Sequence, residues 1–442
     1  MAKLNKIVAA LNFHRQKGPR FMPEAQLRRT LLNCLLWEDQ FYEDGVAIAE
    51  RLAALVPLVD PDIVARLAIE AREDMKLRHA PLFLVREMAR HEKHKLLVAA
   101  TLARVIQRPD ELTEFLAIYW ADALGPLQQR KKRALPAQVK KGLARALVKF
   151  DAYQLAKYDR DGPVRLRDVL FLTHAKPETA EQAAVWKQLV DGTLAAPDTW
   201  EVALSGGKAK KETFERLIAE RKLGALALLR NLRGMLHAGV EKAAIGAALD
   251  AMKTDRVLPY RFITAAHYAP DLEPQLEAAM FKSIEGLERL GGKTTLLIDV
   301  SPSMFAPLSA RSEMTRLQAA CGLAILAREI CEDVEIFTFS NKTVKVAPRR
   351  GFALRDAMLS SQVPNGTLLG AAVTEVDRKD RRLIVFTDEQ SQDKVPSPKG
   401  VGYMINVASY RNGVGSGPWL RVDGFSEAIV RWIVARERVA TG

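Results

Sequence analysis

The sequence predicts an α-solenoid over residues 1–290 joined to a doubly wound α/β unit over residues 291–442. Three observations carry that reading. Before about residue 290, helical patterns follow one another with almost no strand signal, as stacked helix pairs require. Beyond Gly291-Gly292, short apolar runs alternate with helical stretches, the pattern of a parallel sheet covered by helices. A chain of 442 residues also exceeds what one ordinary core encloses.

In the first part, helical patterns cover 24–36, 44–55, 61–74, 81–89, 93–106 and 110–124. Apolar residues recur at three- and four-residue spacing, as at Ile63, Leu67 and Ala71. Pro57, Pro61, Pro81, Pro109, Pro126 and Pro136 punctuate the run, several at first-turn positions, where proline costs no hydrogen bond. Pairs of helices repeated in this way point to HEAT-type repeats with an extended curved surface.

A basic stretch follows: Arg130, Lys131, Lys132, Arg133, Lys140, Lys141, Arg145 and Lys149. It reads either as a phosphate-contacting face, since clustered cations release counterions from nucleic acid, or as a solvated helix face. Next come the helix of Lys149 to Tyr158, with its aromatic anchors, and a helix from Arg165 that ends at His174, just before Lys176-Pro177. On position alone His174 reads as a C-terminal cap, a hydrogen-bonded core residue or a ligand. Ser205-Gly206-Gly207-Lys208-Ala209-Lys210-Lys211 is a basic loop without P-loop spacing. A last helix over 270–289 leads into Gly291-Gly292, read as a hinge.

In the second part, strands are expected at 294–300, 334–339, 382–387 and 402–407, with helices at 313–331, 354–361, 369–378 and 426–438. The first strand ends in Asp299-Val300-Ser301-Pro302-Ser303. Alternate residues of an extended segment point the same way, so one carboxylate and two hydroxyls converge at a strand's carboxyl end, where open α/β sheets bind ligands. Thr367, in Asn365-Gly366-Thr367, offers a third hydroxyl, and Asp388, after Phe386-Thr387, a second carboxylate. Asp299, Ser301, Ser303, Thr367 and Asp388 form the mixed oxygen shell of a hard divalent ion, Mg²⁺ first, with Ca²⁺ or Mn²⁺ as other occupants.

The formal net charge is +13, and nine of those charges fall before residue 292, so a polyanionic partner is expected to dock on the helical part. The three cysteines, Cys34, Cys321 and Cys331, show neither a disulfide framework nor zinc spacing, and the last two are expected to be buried thiols on one helix. No apolar run is long enough to span a bilayer and the start shows no secretory signal, so a cytoplasmic protein without a membrane partner is expected.

The five oxygen donors resemble the metal-ion-dependent adhesion site of von Willebrand factor A domains, in which a D-x-S-x-S loop is completed by a distant Thr and Asp. Such a domain behind an all-helical array resembles the TROVE family, to which the Ro autoantigen belongs. Further support comes from Phe171-Leu172-Thr173-His174-Ala175-Lys176-Pro177, Thr199-Trp200-Glu201-Val202, Leu228-Leu229-Arg230-Asn231-Leu232 and Leu258-Pro259-Tyr260-Arg261-Phe262. The resemblance implies a ring of helical repeats closed by the metal-site unit, with small structured Y RNAs bound outside. It also implies capture of single-stranded 3′ ends of misfolded RNA in the central hole. His174 and Lys176 match the family's His-x-Lys-Pro segment, Lys157 the basic residue upstream, and Arg160 lies in an unusually acidic loop; with Lys131, Lys132, Lys140 and Lys141 these are the RNA-binding candidates.

The reading is a monomeric, non-catalytic scaffold for RNA quality control, with an exoribonuclease such as polynucleotide phosphorylase as an implied partner. Its competitor is a metal-dependent protein adaptor. The lack of clustered carboxylates speaks against a two-metal nuclease.

Overall fold

The first segments coil because their apolar residues fall on one stripe and their ends are capped. The computed structural model describes residues 23–31, 45–121, 134–254, 257, 259–308, 314–408, 417–424 and 428–441. Its early helices are α1 (Pro23–Leu31), α2 (Gly45–Leu55), α3 (Pro61–Glu73), α4 (His79–Arg90), α5 (Lys95–Val105), α6 (Pro109–Trp120) and α7 (Ala137–Leu147). Then come α8 (Ala152–Tyr158), α9 (Leu166–Thr173), α10 (Ala180–Asp191), α11 (Trp200–Ser205), α12 (Lys210–Ala219), α13 (Ala225–His237), α14 (Lys242–Ala251), α15 (Tyr260–Tyr268) and α16 (Glu273–Ile284).

Helix α3 shows the local logic. Asp60 caps its start by accepting from the Asp62 amide at 2.9 Å, Pro61 takes the first turn, and Val64, Leu67, Ala68 and Ala71 form the buried stripe. Many helices also pack on a next-but-one neighbour: α3 on α5, α5 on α7, α4 on α6, α12 on α14, α14 on α16. That stacking makes a two-layer solenoid. Buried charge pins the layers together. Glu111 of α6, fully buried, accepts from Arg72 of α3 at 2.5 Å and from the Gln107 and Arg108 amides at 2.7 and 3.1 Å.

The helices give way to a six-stranded sheet: β1 (Leu290–Asp299), β2 (Cys331–Phe339), β3 (Thr343–Lys345), β4 (Arg382–Thr387), β5 (Gly402–Asn406) and β6 (Leu420–Asp423). The order is β3-β2-β1-β4-β5-β6, parallel except for β3 against β2. Helices α17 (Arg316–Ile330), α18 (Gly351–Leu359), α19 (Leu369–Val376) and α20 (Ala428–Thr441) complete this unit. Helix α17, buried over most of its surface, packs on β1, β2 and β4. The sheet thus has the doubly wound form of a von Willebrand factor A-like unit.

Two expectations need correction here. Gly291-Gly292 is no hinge: both residues lie inside β1, Gly292 has a φ of +76°, and the pairing register with β2 shifts between Leu290 and Lys293, so the glycines form a bulge. Cys331 does not share a helix with Cys321; it begins β2, although both thiols are buried.

The array closes on itself through the sheet unit. At one end α1 touches β6. At the other, α15 packs on α17 and α16 on α18, where the Glu277 carboxylate of α16 accepts the Phe352 amide at 2.6 Å and Arg355 pairs with Glu273 at 3.1 Å. A carboxylate at a helix N-terminus satisfies an orphan amide and complements the helix dipole. Gly351, with φ +53°, allows this approach, since a Cβ there would lie 2.0 Å from the Glu277 Oε1. Both ends of the solenoid therefore meet one α/β unit, and the result is a ring.

Candidate functional site

The sheet order reverses at β1, whose neighbours are β2 and β4, so a crevice opens beyond the carboxyl ends of these strands. Asp299 closes β1 and Asp388 follows β4, and both side chains are buried. Asp299 accepts from the Ser301 amide at 2.8 Å and from the Thr387 hydroxyl at 2.7 Å. The Ser301 and Ser303 hydroxyls lie 3.2 Å apart, and Ser303 also bonds the Asp388 carboxylate. These five residues make one hydrogen-bonded cluster.

Thr367 stands on the adjoining loop. Ser340, at the end of β2, holds that loop by accepting from the Asn365 amide at 2.8 Å and donating to the Gly366 carbonyl at 2.9 Å. The Gln392 amide bonds the Thr367 carbonyl at 2.9 Å, and the side chain is almost wholly buried.

The electrostatics call for positive charge. Burial, then the proximity of Asp388, pushes the Asp299 carboxyl up to about 7, and burial also raises Asp388. One cation is built in: Arg316 Nη1 donates to Asp388 at 3.1 Å and to the Ser303 carbonyl at 3.4 Å. Beside it the buried Glu389, at φ +57°, is 2.7 Å from the Arg421 guanidinium of β6. Among the described residues no group of three or more His, Cys, Asp or Glu could hold a metal, so hydroxyls must supply part of any shell here. Two desolvated carboxylates with convergent hydroxyls fit a hard divalent ion better than a soft one.

Thr387, Ser340, Arg316, Glu389 and Arg421 escaped the sequence reading. Thr387 stood beside Asp388 in the quoted motif. The two arginines gave no local signal, because their partners lie 72 and 32 positions away in the chain.

On the helical part, His174 is exposed and forms the cap of α9 in the left-handed conformation, with φ 51° and ψ 39°. The cap and ligand readings are therefore compatible: the backbone ends the helix while the ring faces solvent. Lys176 and Arg160 are exposed, and Lys157, half-buried at the end of α8, lies 5.8 Å from the Tyr158 ring centroid. Helix α10 packs on both α8 and α9 and holds their ends in one region of the ring.

On α7, Lys141 is exposed and Lys140 half-buried, whereas Lys131 and Lys132 lie outside the described residues. Lys149, from the basic stretch, has a structural task instead. Its ammonium group reaches the Ala103 and Ile106 carbonyls at the end of α5, satisfying acceptors that the helix leaves open.

Fold and site together define a helical-repeat ring closed by a von Willebrand factor A-like unit with an oxygen-rich strand-end pocket. The model of the TROVE domain matches residues 24–193 and 192–319, running through β1 and the Asp299 loop. The chain belongs to the TROVE family, RNA-binding proteins of the Ro type. The fold is similar to the crystal structure of the Ro (RSR) protein of Deinococcus radiodurans, with a TM-score of 0.62 and 19% identity over 93% of this chain and 99% of that one. No curated protein matches the sequence. None of the described helices is long and apolar enough to cross a membrane.

Proposed function

We propose that this protein is a non-catalytic scaffold that binds small structured, Y-like RNA on the surface around the ends of α8 and α9. Single-stranded 3′ ends of misfolded RNA thread the ring, for quality control in the cytoplasm. The observation that carries the proposal is the exposed group His174, Lys176 and Arg160, with Lys157 beside it, on an array that holds most of the net positive charge. Cations on such a face suit duplex RNA recognised through phosphates and 2′-hydroxyls.

The test is RNA binding by the purified chain. His174→Ser and Lys157→Glu should weaken a stem-loop RNA more than a single-stranded oligonucleotide; equal losses would replace a structured-RNA site by a diffuse electrostatic surface. Labelled RNA incubated with the protein and Mg²⁺ should stay intact, and cleavage products would end the scaffold reading.

In the same proposal Asp299, Ser301, Ser303, Thr367 and Asp388 hold Mg²⁺, with Ca²⁺ or Mn²⁺ as substitutes. When bound, the ion offers a coordination position to an oxygen ligand from outside the chain. One observation favours adding the adaptor role here. Phe305 and Val363, on the two loops that carry Ser303 and Thr367, are 50% and 82% exposed. Exposed apolar groups beside a metal site suit a protein partner better than a phosphate backbone.

A further inference from the structure

Four described residues other than glycine hold a left-handed backbone: Lys76, His174, Arg221 and Glu389. The first three are exposed and stand just beyond the ends of α3, α9 and α12, where such a conformation commonly closes a helix. Glu389 differs. It is 1% exposed and follows Asp388 at the end of a strand, β4, rather than of a helix. A residue with a Cβ resists a φ of +57°, so the surrounding structure must impose it.

The turn sends two consecutive buried carboxylates to different partners. Asp388 meets Arg316 of α17 at 3.1 Å and the Ser303 hydroxyl. Glu389 meets Arg421 of the edge strand β6 at 2.7 Å. Arg421 pairs with Met404 of β5, which pairs with Val385 of β4, so its side chain crosses a strand to reach the loop. The Glu389 amide donates to the Thr387 hydroxyl at 3.0 Å, and that hydroxyl, its oxygen thus engaged, donates to Asp299 at 2.7 Å. The Gln390 amide reaches Asp388 at 3.3 Å, and the Gln392 amide the Thr367 carbonyl at 2.9 Å. One short loop therefore touches oxygen donors on three segments of the pocket, and the Glu389–Arg421 pair sets its conformation.

We infer that Arg421 is a positioning residue for the divalent ion: through Glu389 it holds Asp388, Asp299 and Thr367 in an arrangement that admits Mg²⁺ in preference to Ca²⁺. This rests on the metal reading of the pocket and deepens it. The two arginines then have contrary tasks. Arg316 bonds a candidate ligand itself and opposes the ion, whereas Arg421 bonds the neighbouring carboxylate and leaves the ligand to the ion. The choice of ion follows from rigidity. Mg²⁺ demands near-ideal octahedral geometry, while Ca²⁺ accepts looser and more variable shells, so clamped donors suit the stricter ion.

The experiment titrates Mg²⁺ and Ca²⁺ separately into the full chain by calorimetry, with urea unfolding in chelator as the measure of stability. Removing one partner of a buried pair would strand a charge, so the variant replaces both, Glu389→Leu with Arg421→Met. Mg²⁺ affinity should fall roughly ten- to a hundredfold, the usual cost of losing an outer-shell partner, and Ca²⁺ affinity by less than about threefold. Glu389→Gly with Arg421→Met should regain part of the Mg²⁺ loss, because glycine takes the left-handed turn without the clamp. Should the first pair fail to fold, Arg421→Lys keeps the charge without the guanidinium fork and should shift the Mg²⁺-to-Ca²⁺ ratio in the same direction. Equal losses for both ions, tracking lost stability, would make the pair a structural tie and overturn the inference. Unchanged Mg²⁺ affinity in the paired variant would overturn it too, with the metal site left standing. A wild-type chain that binds neither ion would remove the metal reading and this inference together.

Discussion

The end of α9 and the end of β1 are opposite solutions to placing charge. Around α9, His174, Lys176 and Arg160 stand in water, held by little beyond the helix that carries them. At β1, Asp299 and Asp388 are buried, and the contacts around them are specified: two backbone amides, three hydroxyls and one guanidinium. Exposed charges cost little to place but are screened by salt, whereas buried ones are expensive to place and barely screened. The first region therefore suits a large polyanion gathered by many weak contacts, and the second a small ion held by a few strong ones.

Removing the central carboxylate should separate the two regions most sharply. Asp299→Ala is expected to weaken Mn²⁺ binding, measured by calorimetry, by about a hundredfold or more, because the Ser301 amide and Thr387 hydroxyl lose their acceptor with it. Stem-loop RNA affinity should stay within about twofold. A parallel collapse of RNA binding would mean the regions are coupled through the ring.

Salt should act the other way. If Lys157, Arg160 and Lys176 each neutralise one phosphate, the log–log salt slope for RNA is about −2.7, a loss of roughly fortyfold between 50 and 200 mM salt. Mn²⁺ affinity should move much less over that range. A flat RNA titration would show that the α9 surface is not read through phosphates.

Proton linkage gives the next contrast. Asp299 titrates at about 7 in the folded chain, above its unfolded value near 4. A carboxyl whose pKa is raised on folding binds protons more tightly in the native state, so stability falls as pH rises between those values. In chelator, unfolding by urea should therefore become easier by a few kcal/mol from pH 4.5 to 7.5, before other groups contribute. Mg²⁺ should flatten the slope by supplying the missing charge. Asp299→Asn should flatten it without metal; an unchanged slope in that variant would assign the effect to another group.

The same contrast explains what the sequence disclosed. The strands ending at Asp299 and Thr387 were legible because a buried parallel strand is a continuous apolar run and its polar end breaks the pattern abruptly. Edge strands β3 and β6, three and four residues long, were not, since so short a segment has no period to read. The oxygen donors were visible because each lies in a local motif. Arg316, Ser340 and Arg421 were not, because only the fold brings them to the pocket. Lys149 went the opposite way, a cation in a basic run that the structure spends on two carbonyls.

Arg316 offers the finest test of the buried region. Its guanidinium already satisfies Asp388, so a divalent ion must compete with a tethered cation of the protein itself. A like charge a few ångströms from the ion opposes its binding, by about one to two kcal/mol even at the dielectric of bulk water. Arg316→Gln should therefore raise Mn²⁺ affinity by about tenfold while leaving stem-loop RNA binding unchanged. Without metal the same variant should be less stable at neutral pH, because two buried carboxylates then face one another with less compensation. If affinity for Mn²⁺ instead falls, Arg316 positions Asp388 for coordination, and the pocket depends on this arginine as an orienting group before the ion arrives.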